Sequence, residues 1–167
     1  MGRSEDVIDR YVYGIDKTAS QKHEKKTRWG DERVAIKEVK LYDKFGKETS
    51  NFISSDPMKI RISYFSEKEV EDPIFGIAVY TDTNVHCYGT NTDLKGVRIK
   101  KIKGAGHIDL CVERLTMQEG KYLLTVAVQS RDNVHYDWLD KQFSFNVVRK
   151  SNDAGLFEIP CRWELRD

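Results

Sequence analysis

Cysteine is scarce in this chain of 167 residues: Cys87, Cys111 and Cys161 are the whole complement. An odd, widely spaced set gives neither a disulfide framework nor a CxxC metal pair. Cys87 and Cys111 sit in apolar alternations, where a buried free thiol is the expected state, and a reducing compartment follows. No apolar run approaches the roughly 20 residues that span a bilayer, and the start carries no signal-peptide core, so no membrane insertion is expected. Neither sign of charge dominates, since 28 Lys and Arg face 27 Asp and Glu for a net +1. That balance argues against a nucleic-acid binder and against a polybasic membrane module.

Catalytic equipment is also missing. Gly104-Ala105-Gly106 has neither the Lys-Ser/Thr nor the helix of a phosphate-binding loop, and no nucleophile elbow occurs. His23, His86, His107 and His135 are scattered without metal-ligand spacing. His86 and Cys87 are neighbours, which in a strand point to opposite faces. No catalytic residue, metal or cofactor is assigned.

With 39% hydrophobic and 33% charged residues, the chain has the composition of a folded domain. Helical spacing occurs once, where Val7, Ile8, Tyr11 and Val12 follow Ser4 as a cap, and the charged stretch Lys17 to Lys26 has no apolar face. Residues 1–28 therefore read as a short helix and linker, and 29–167 as one domain. From Trp29 onward strand follows strand. Strands are predicted over 34–42, 58–65, 74–81, 85–91, 107–112, 122–129 and 142–148, with a further strand-like run over 156–165 broken by Pro160. Residues 92–106 read as a Gly-rich connection and 133–140 as a loop. The fold class is all-β, an immunoglobulin-like antiparallel β-sandwich with a short N-terminal helix. Leu115, Gly120 and Tyr122 match the corner in which a tyrosine ties down a loop of such sandwiches.

Two strands carry the functional signal. Phe75, Ile77 and Val79 alternate with Gly76, Ala78 and Tyr80, while Tyr122, Leu124, Val126 and Val128 alternate with Leu123, Thr125, Ala127 and Gln129. One face builds a core; the other is a hollow floor of small residues. A strict alternation of the next strand adds His86, Tyr88 and Thr90 to that outer face. The expected rim is Tyr80, His86, Tyr88, Gln129 and Arg131, aromatic faces and polar groups of the kind that hold a sugar ring. Such a face is equally the wet side of an antiparallel sheet, or a seat for another piece of chain. In Asn133–Asp140, Tyr136 and Trp138 either cap a ligand or pack under the loop, and one of them is expected to pack.

Arg28-Trp29-Gly30, Pro73–Val79, Tyr88-Gly89-Thr90-Asn91-Thr92, Gly120–Leu124, Tyr136-Asp137 and Arg162-Trp163-Glu164 occur in an order that resembles one family. It is the C-terminal carbohydrate-binding domain of the ATP-binding subunit of O-antigen polysaccharide ABC transporters, over residues 28–165. Asp6–Tyr11 resembles the end of the nucleotide-binding domain of these ATPases, which makes the chain look like an excised C-terminal part without ATPase activity. The resemblance implies a non-catalytic module on the cytoplasmic side of the inner membrane. It would recognise the modified non-reducing end of a lipid-linked polysaccharide, with the ATPase domain and permease as partners. It implies a homodimer made by exchange of the last strand, here 156–165 behind the hinge Lys150–Gly155. The rival reading is a structural dimerisation module without glycan recognition.

Overall fold

A computed structural model describes residues 27–166; the expected N-terminal helix lies outside them. Among the described residues nine strands and no helix occur: β1 (Arg28–Trp29), β2 (Ala35–Tyr42), β3 (Asn51–Ile53), β4 (Met58–Glu71), β5 (Ile74–Thr81), β6 (His86–Asn91), β7 (Lys101–Val112), β8 (Gly120–Gln129) and β9 (His135–Val148). They form two sheets. One runs β1-β9-β8-β5-β6, with β3 added parallel to β9; the other runs β2-β4-β7.

The two inner faces make the core. Phe75, Ile77, Val79, Tyr122, Leu124, Val126 and Val128 from β5 and β8 meet Ile36, Met58, Ile60 and Ile62 from β2 and β4. These are the positions that alternation assigned inward, and burying each such side chain contributes about 1.5–3 kcal/mol. The outer face of the larger sheet carries a second, small cluster of Ala78, Ala127 and Trp138, with Tyr80 against it.

Three spans differ from the sequence expectation. β4 continues to Glu71 and β7 begins at Lys101, so the tail of the one pairs with residues expected to be a connection. Charge supports that pairing where apolar residues do not, as Lys101 meets Glu69 at 3.0 Å. Residues 135–140, expected as a loop, are the first half of β9. The run 156–165 joins no named strand; Phe157 makes one bridge to Met117, and Glu158 is held by Ser55 Oγ and Arg114 Nη2. Hydrogen bonds from Ser55 and Arg114 hold the Glu158 carboxyl below its ordinary pKa. Beyond it Ile159, Trp163 and Leu165 stand in solvent, Trp163 completely.

Two buried polar anchors fix the sandwich. The Tyr122 hydroxyl donates to the carbonyl of Gln118 at 2.8 Å, which is the predicted corner, and burial raises its pKa. Asp137, 1% exposed, accepts from Arg28 Nε at 3.0 Å, Arg28 Nη2 at 2.7 Å and the Ile36 amide at 2.7 Å. It thereby ties β1, β9 and β2, and so both sheets, together. The Asp137 hydrogen bonds raise the Arg28 pKa.

Tyr122→Phe is expected to lower stability by about 1–2 kcal/mol in urea melts, because a buried carbonyl loses its donor. Arg28→Ala is expected to cost more, about 2–3 kcal/mol, since it leaves a buried carboxylate with one amide donor; the half-exposed guanidinium keeps the figure below that of a fully buried pair. Equal or smaller loss in Arg28→Ala would contradict this ranking.

Candidate functional site

The outer face of the larger sheet is built by cross-strand rows. Asn91, Gly76, Ala127, Trp138 and Trp29 lie in one row across β6, β5, β8, β9 and β1. Gly89, Ala78 and Thr125 form the next, and His86, Tyr80 and Leu123 the one beyond. Directly paired residues project to the same side, so these rows are the floor and its edges. A Cβ at Gly76 would meet the Cβ of Asn91 at 3.1 Å, so a larger residue there would push β6 away by a few tenths of an ångström. Its room is taken by the neighbouring strand.

The five rim residues expected from alternation do not form one constellation. Tyr80 and His86 come together, their rings stacked with centroids 4.8 Å apart. Gln129 also faces outward, but it pairs with Ile74 at the far end of β5, roughly 20 Å from Tyr80 at about 3.3 Å per residue. There its amide meets Asn133 at 3.3 Å, and Arg131 is ion-paired with Asp93 at 2.9 Å. Tyr88 is on the other side of the sheet. The β5–β6 ladder breaks between Val79 and Tyr80, where His86 and Cys87 together oppose Tyr80, so Tyr88 pairs with Val79 and Thr90 with Ile77. Tyr88 then lines an inter-sheet cavity of about 340 Å³ with Ile77, Val79 and Met117. The extra residue leaves His86 on the expected side and reverses the parity of β6 from Tyr88 onward.

A second break, between Val128 and Gln129, does the same in β9. It answers the question left open for the two aromatics. Tyr136 enters the main core and Trp138 turns outward. Trp138 lies on Ala78 and Ala127, is 2% exposed, and is stacked on Trp29 at 5.5 Å and 15°. His135 completes the group; its Nδ1 accepts from Trp29 Nε1 at 3.1 Å, which requires that nitrogen unprotonated. Trp29, at 36% exposure, is the indole that solvent reaches.

A third break sets Thr125 opposite Asp140–Gln142. The Thr125 hydroxyl donates to Asp140 Oδ1 at 3.1 Å and accepts from the Lys141 amide at 2.9 Å. Lys141 Nζ stands 4.4 Å over the Tyr80 ring and 3.9 Å from Asp140. Sequence reasoning missed Trp29 and Lys141, and held Trp138 and Asp140 only as part of a loop that either caps a ligand or packs. One signal was present: Arg28-Trp29 and Asp137-Trp138 each set a charge beside an indole, so an inward ion pair places both indoles outward.

The face therefore offers an indole platform, a carboxylate and an ammonium, which together suit a hydroxylated ring. Among the described residues, no group of three or more His, Cys, Asp or Glu is arranged to hold a metal, and no helix is long and apolar enough to cross a membrane.

The chain is similar to the crystal structure of the C-terminal domain of Wzt at a TM-score of 0.77 and 15% identity, over 98% of this chain and 100% of that one. An immunoglobulin-like protein from Pseudomonas aeruginosa reaches a TM-score of 0.37 at 14% identity, over 70% of this chain and 98% of that one. The soluble domain of PmoD from a Methylocystis species reaches 0.36 at 13% identity, over 71% and 94%. Among curated proteins none matches. The Wzt C-terminal domain is a separate β-sheet domain and not a catalytic ATPase fold. Residues 25–159 match the Wzt C-terminal domain family, and the chain belongs to it.

Proposed function

We propose that this chain is a non-catalytic carbohydrate-binding module. It recognises the modified non-reducing end of a lipid-linked O-antigen polysaccharide and couples that recognition to export by an ABC transporter. The observation that carries the reading is the outer face, where the Trp29–Trp138 stack and the Tyr80–Lys141–Asp140 group stand on a floor of Ala78, Ala127 and Thr125. An indole gives the C–H face of a sugar ring an apolar partner, and the polar groups satisfy its hydroxyls. Of the five residues picked from the sequence, Tyr80 and His86 stay at the centre of this site and Gln129 and Arg131 at its far end. Tyr88 does not face it. The sandwich 29–167 is the module, and 1–28 lead from the nucleotide-binding domain of the full protein. It works on the cytoplasmic side of the inner membrane, beside the ATPase and permease.

A dimer belongs to this reading. Ile159, Trp163 and Leu165 are exposed at alternate or near-alternate positions after the hinge at Gly155, whose φ is +109°. An apolar extended segment of this kind loses its exposure by adding to a second copy. The same segment favours the second reading, a structural dimerisation module whose outer face binds nothing.

Titration of the ¹⁵N-labelled chain with delipidated O-polysaccharide from the source strain separates the two. The expected result is shifts of the Trp29 and Trp138 indole resonances and of the Thr125 and Ala127 amides, in fast exchange at modest affinity. An unperturbed outer face leaves the structural module. In sedimentation experiments the chain is expected to be dimeric, and Trp163→Glu with Leu165→Glu to be monomeric with an unchanged circular dichroism spectrum; a monomeric parent chain would remove the exchange.

A further inference from the structure

We propose that the Asp140–Lys141 kink of β9 is the hydroxyl-reading end of the outer face, and that it takes a neutral sugar ring bearing adjacent hydroxyls rather than an acidic one. This rests on the carbohydrate-binding reading above.

The first observation is where the backbone is strained. Among the described residues six that are not glycine have positive φ: Glu32, Ser55, Asp72, Asn84, Asn133 and Lys141. Five lie outside the strands. Lys141, at φ 51°, lies inside a strand and is the one residue of the six with a long aliphatic side chain. Gly or Asn would hold that conformation with less strain. Backbone strain that persists in the middle of a strand is held by its surroundings and concentrates at functional positions.

The second observation is what holds it. Thr125, fully buried, uses its hydroxyl in both directions, accepting from the Lys141 amide and donating to Asp140 Oδ1. The Asp140 amide donates to the Thr27 carbonyl at 2.8 Å, which fastens the kink to the start of β1 beside Trp29. The Lys141 ammonium rests over Tyr80, whose ring is stacked on His86 from the adjacent strand. Tyr80 therefore acts as a post that positions a cation. Its own ring faces are used by its neighbours, and the exposed Trp29 indole is left as the sugar platform.

The third observation is the spacing of the charges. Lys141 Nζ and Asp140 Oδ2 are 3.9 Å apart, with side chains 21% and 27% exposed. That distance is beyond a direct hydrogen bond, so each group keeps capacity toward a third partner. An anion entering here meets the Asp140 carboxylate, and a cation meets the ammonium. A pair of neighbouring hydroxyls satisfies both, one donating to Asp140 and the other accepting from Lys141. Preset charged groups of this kind add specificity for a ring that offers a donor and an acceptor side by side.

Calorimetric titration of the full chain with delipidated O-polysaccharide from the source strain tests this, together with Lys141→Gly. The variant is expected to melt at a higher temperature than the parent, because the strain is relieved, and to bind at least about tenfold more weakly, having lost a charge-assisted hydrogen bond. Lys141→Asn, which also accepts the left-handed conformation, is expected to lose affinity likewise, and serves should the glycine variant not fold. Parental affinity in a folded variant would overturn the proposal while leaving the carbohydrate reading intact. Parental binding that falls more than about tenfold between low salt and about 0.5 M NaCl would overturn the neutral-ring class, because it marks an anionic end group. No binding by the parent chain would overturn the carbohydrate reading itself and this proposal with it.

Discussion

The carboxylate of Asp137 is the point on which the sheets and the outer face both depend. A charge with 1% exposure is tolerable only when paired and hydrogen-bonded, and Asp137 is met by both arms of the Arg28 fork and by the Ile36 amide. Those contacts fasten the short strand β1 to β9 and bring β2 of the other sheet against the same edge. Alternation then transmits the constraint across the sheet. With Arg28 opposite Leu139 and Trp29 opposite Trp138, the ion pair on the inner side fixes the two indoles on the outer side. Backbone hydrogen bonds from the Asp140 amide to the Thr27 carbonyl and from the Asp31 amide to the His135 carbonyl hold the two ends of this short strand in register. Arg28–Asp137 adds the side-chain tie that fixes which face each of its residues takes.

Breaks in pairing decide the rest of the outer face. Where a ladder continues unbroken, as from Ile74–Thr81 against Tyr122–Gln129, side-chain parity follows from the sequence alone, and Gly76, Ala78, Thr125 and Ala127 lie on the face that their pattern assigned. Where one extra residue enters, parity reverses from that residue onward. His86-Cys87 against Tyr80 sends Tyr88 and Thr90 inward, against expectation. The break at Val128/Gln129 sends Tyr136 and Trp138 to opposite sides although they are two apart. Neither site carries a glycine or proline to announce it. The apolar strands were therefore legible as faces, while the rim was not, because its make-up depends on where bulges fall.

Charge concealed two further features. Ser66–Glu71 holds one apolar residue, Val70, and gives no periodic signal, yet it extends β4 because Glu69 and Lys101 lie close enough to pair across the ladder. The closing segment has the opposite character. Its apolar residues read as a strand, but in a single copy they have no sheet edge of their own beyond the bridge at Phe157. Local pattern specifies what a segment can bury. It does not specify which chain supplies the cover.

The two sides of the larger sheet divide stability from recognition. Its inner side packs Phe75, Ile77, Val79, Tyr122, Leu124, Val126 and Val128 against the second sheet, each contributing about 1.5–3 kcal/mol by burial. A residue held at positive φ costs about 1–3 kcal/mol, so the strain at Lys141 is offset by roughly one such side chain. A sheet with this core can carry a strained bulge on its other side without losing its fold. Thr125 joins the two roles. Its backbone continues β8 between Leu124 and Val126 in the core, and its hydroxyl holds Asp140 and Lys141 on the outer face. The rigidity of the core thus reaches the polar groups through one buried hydroxyl, and the positions of carboxylate and ammonium are set before any ligand arrives.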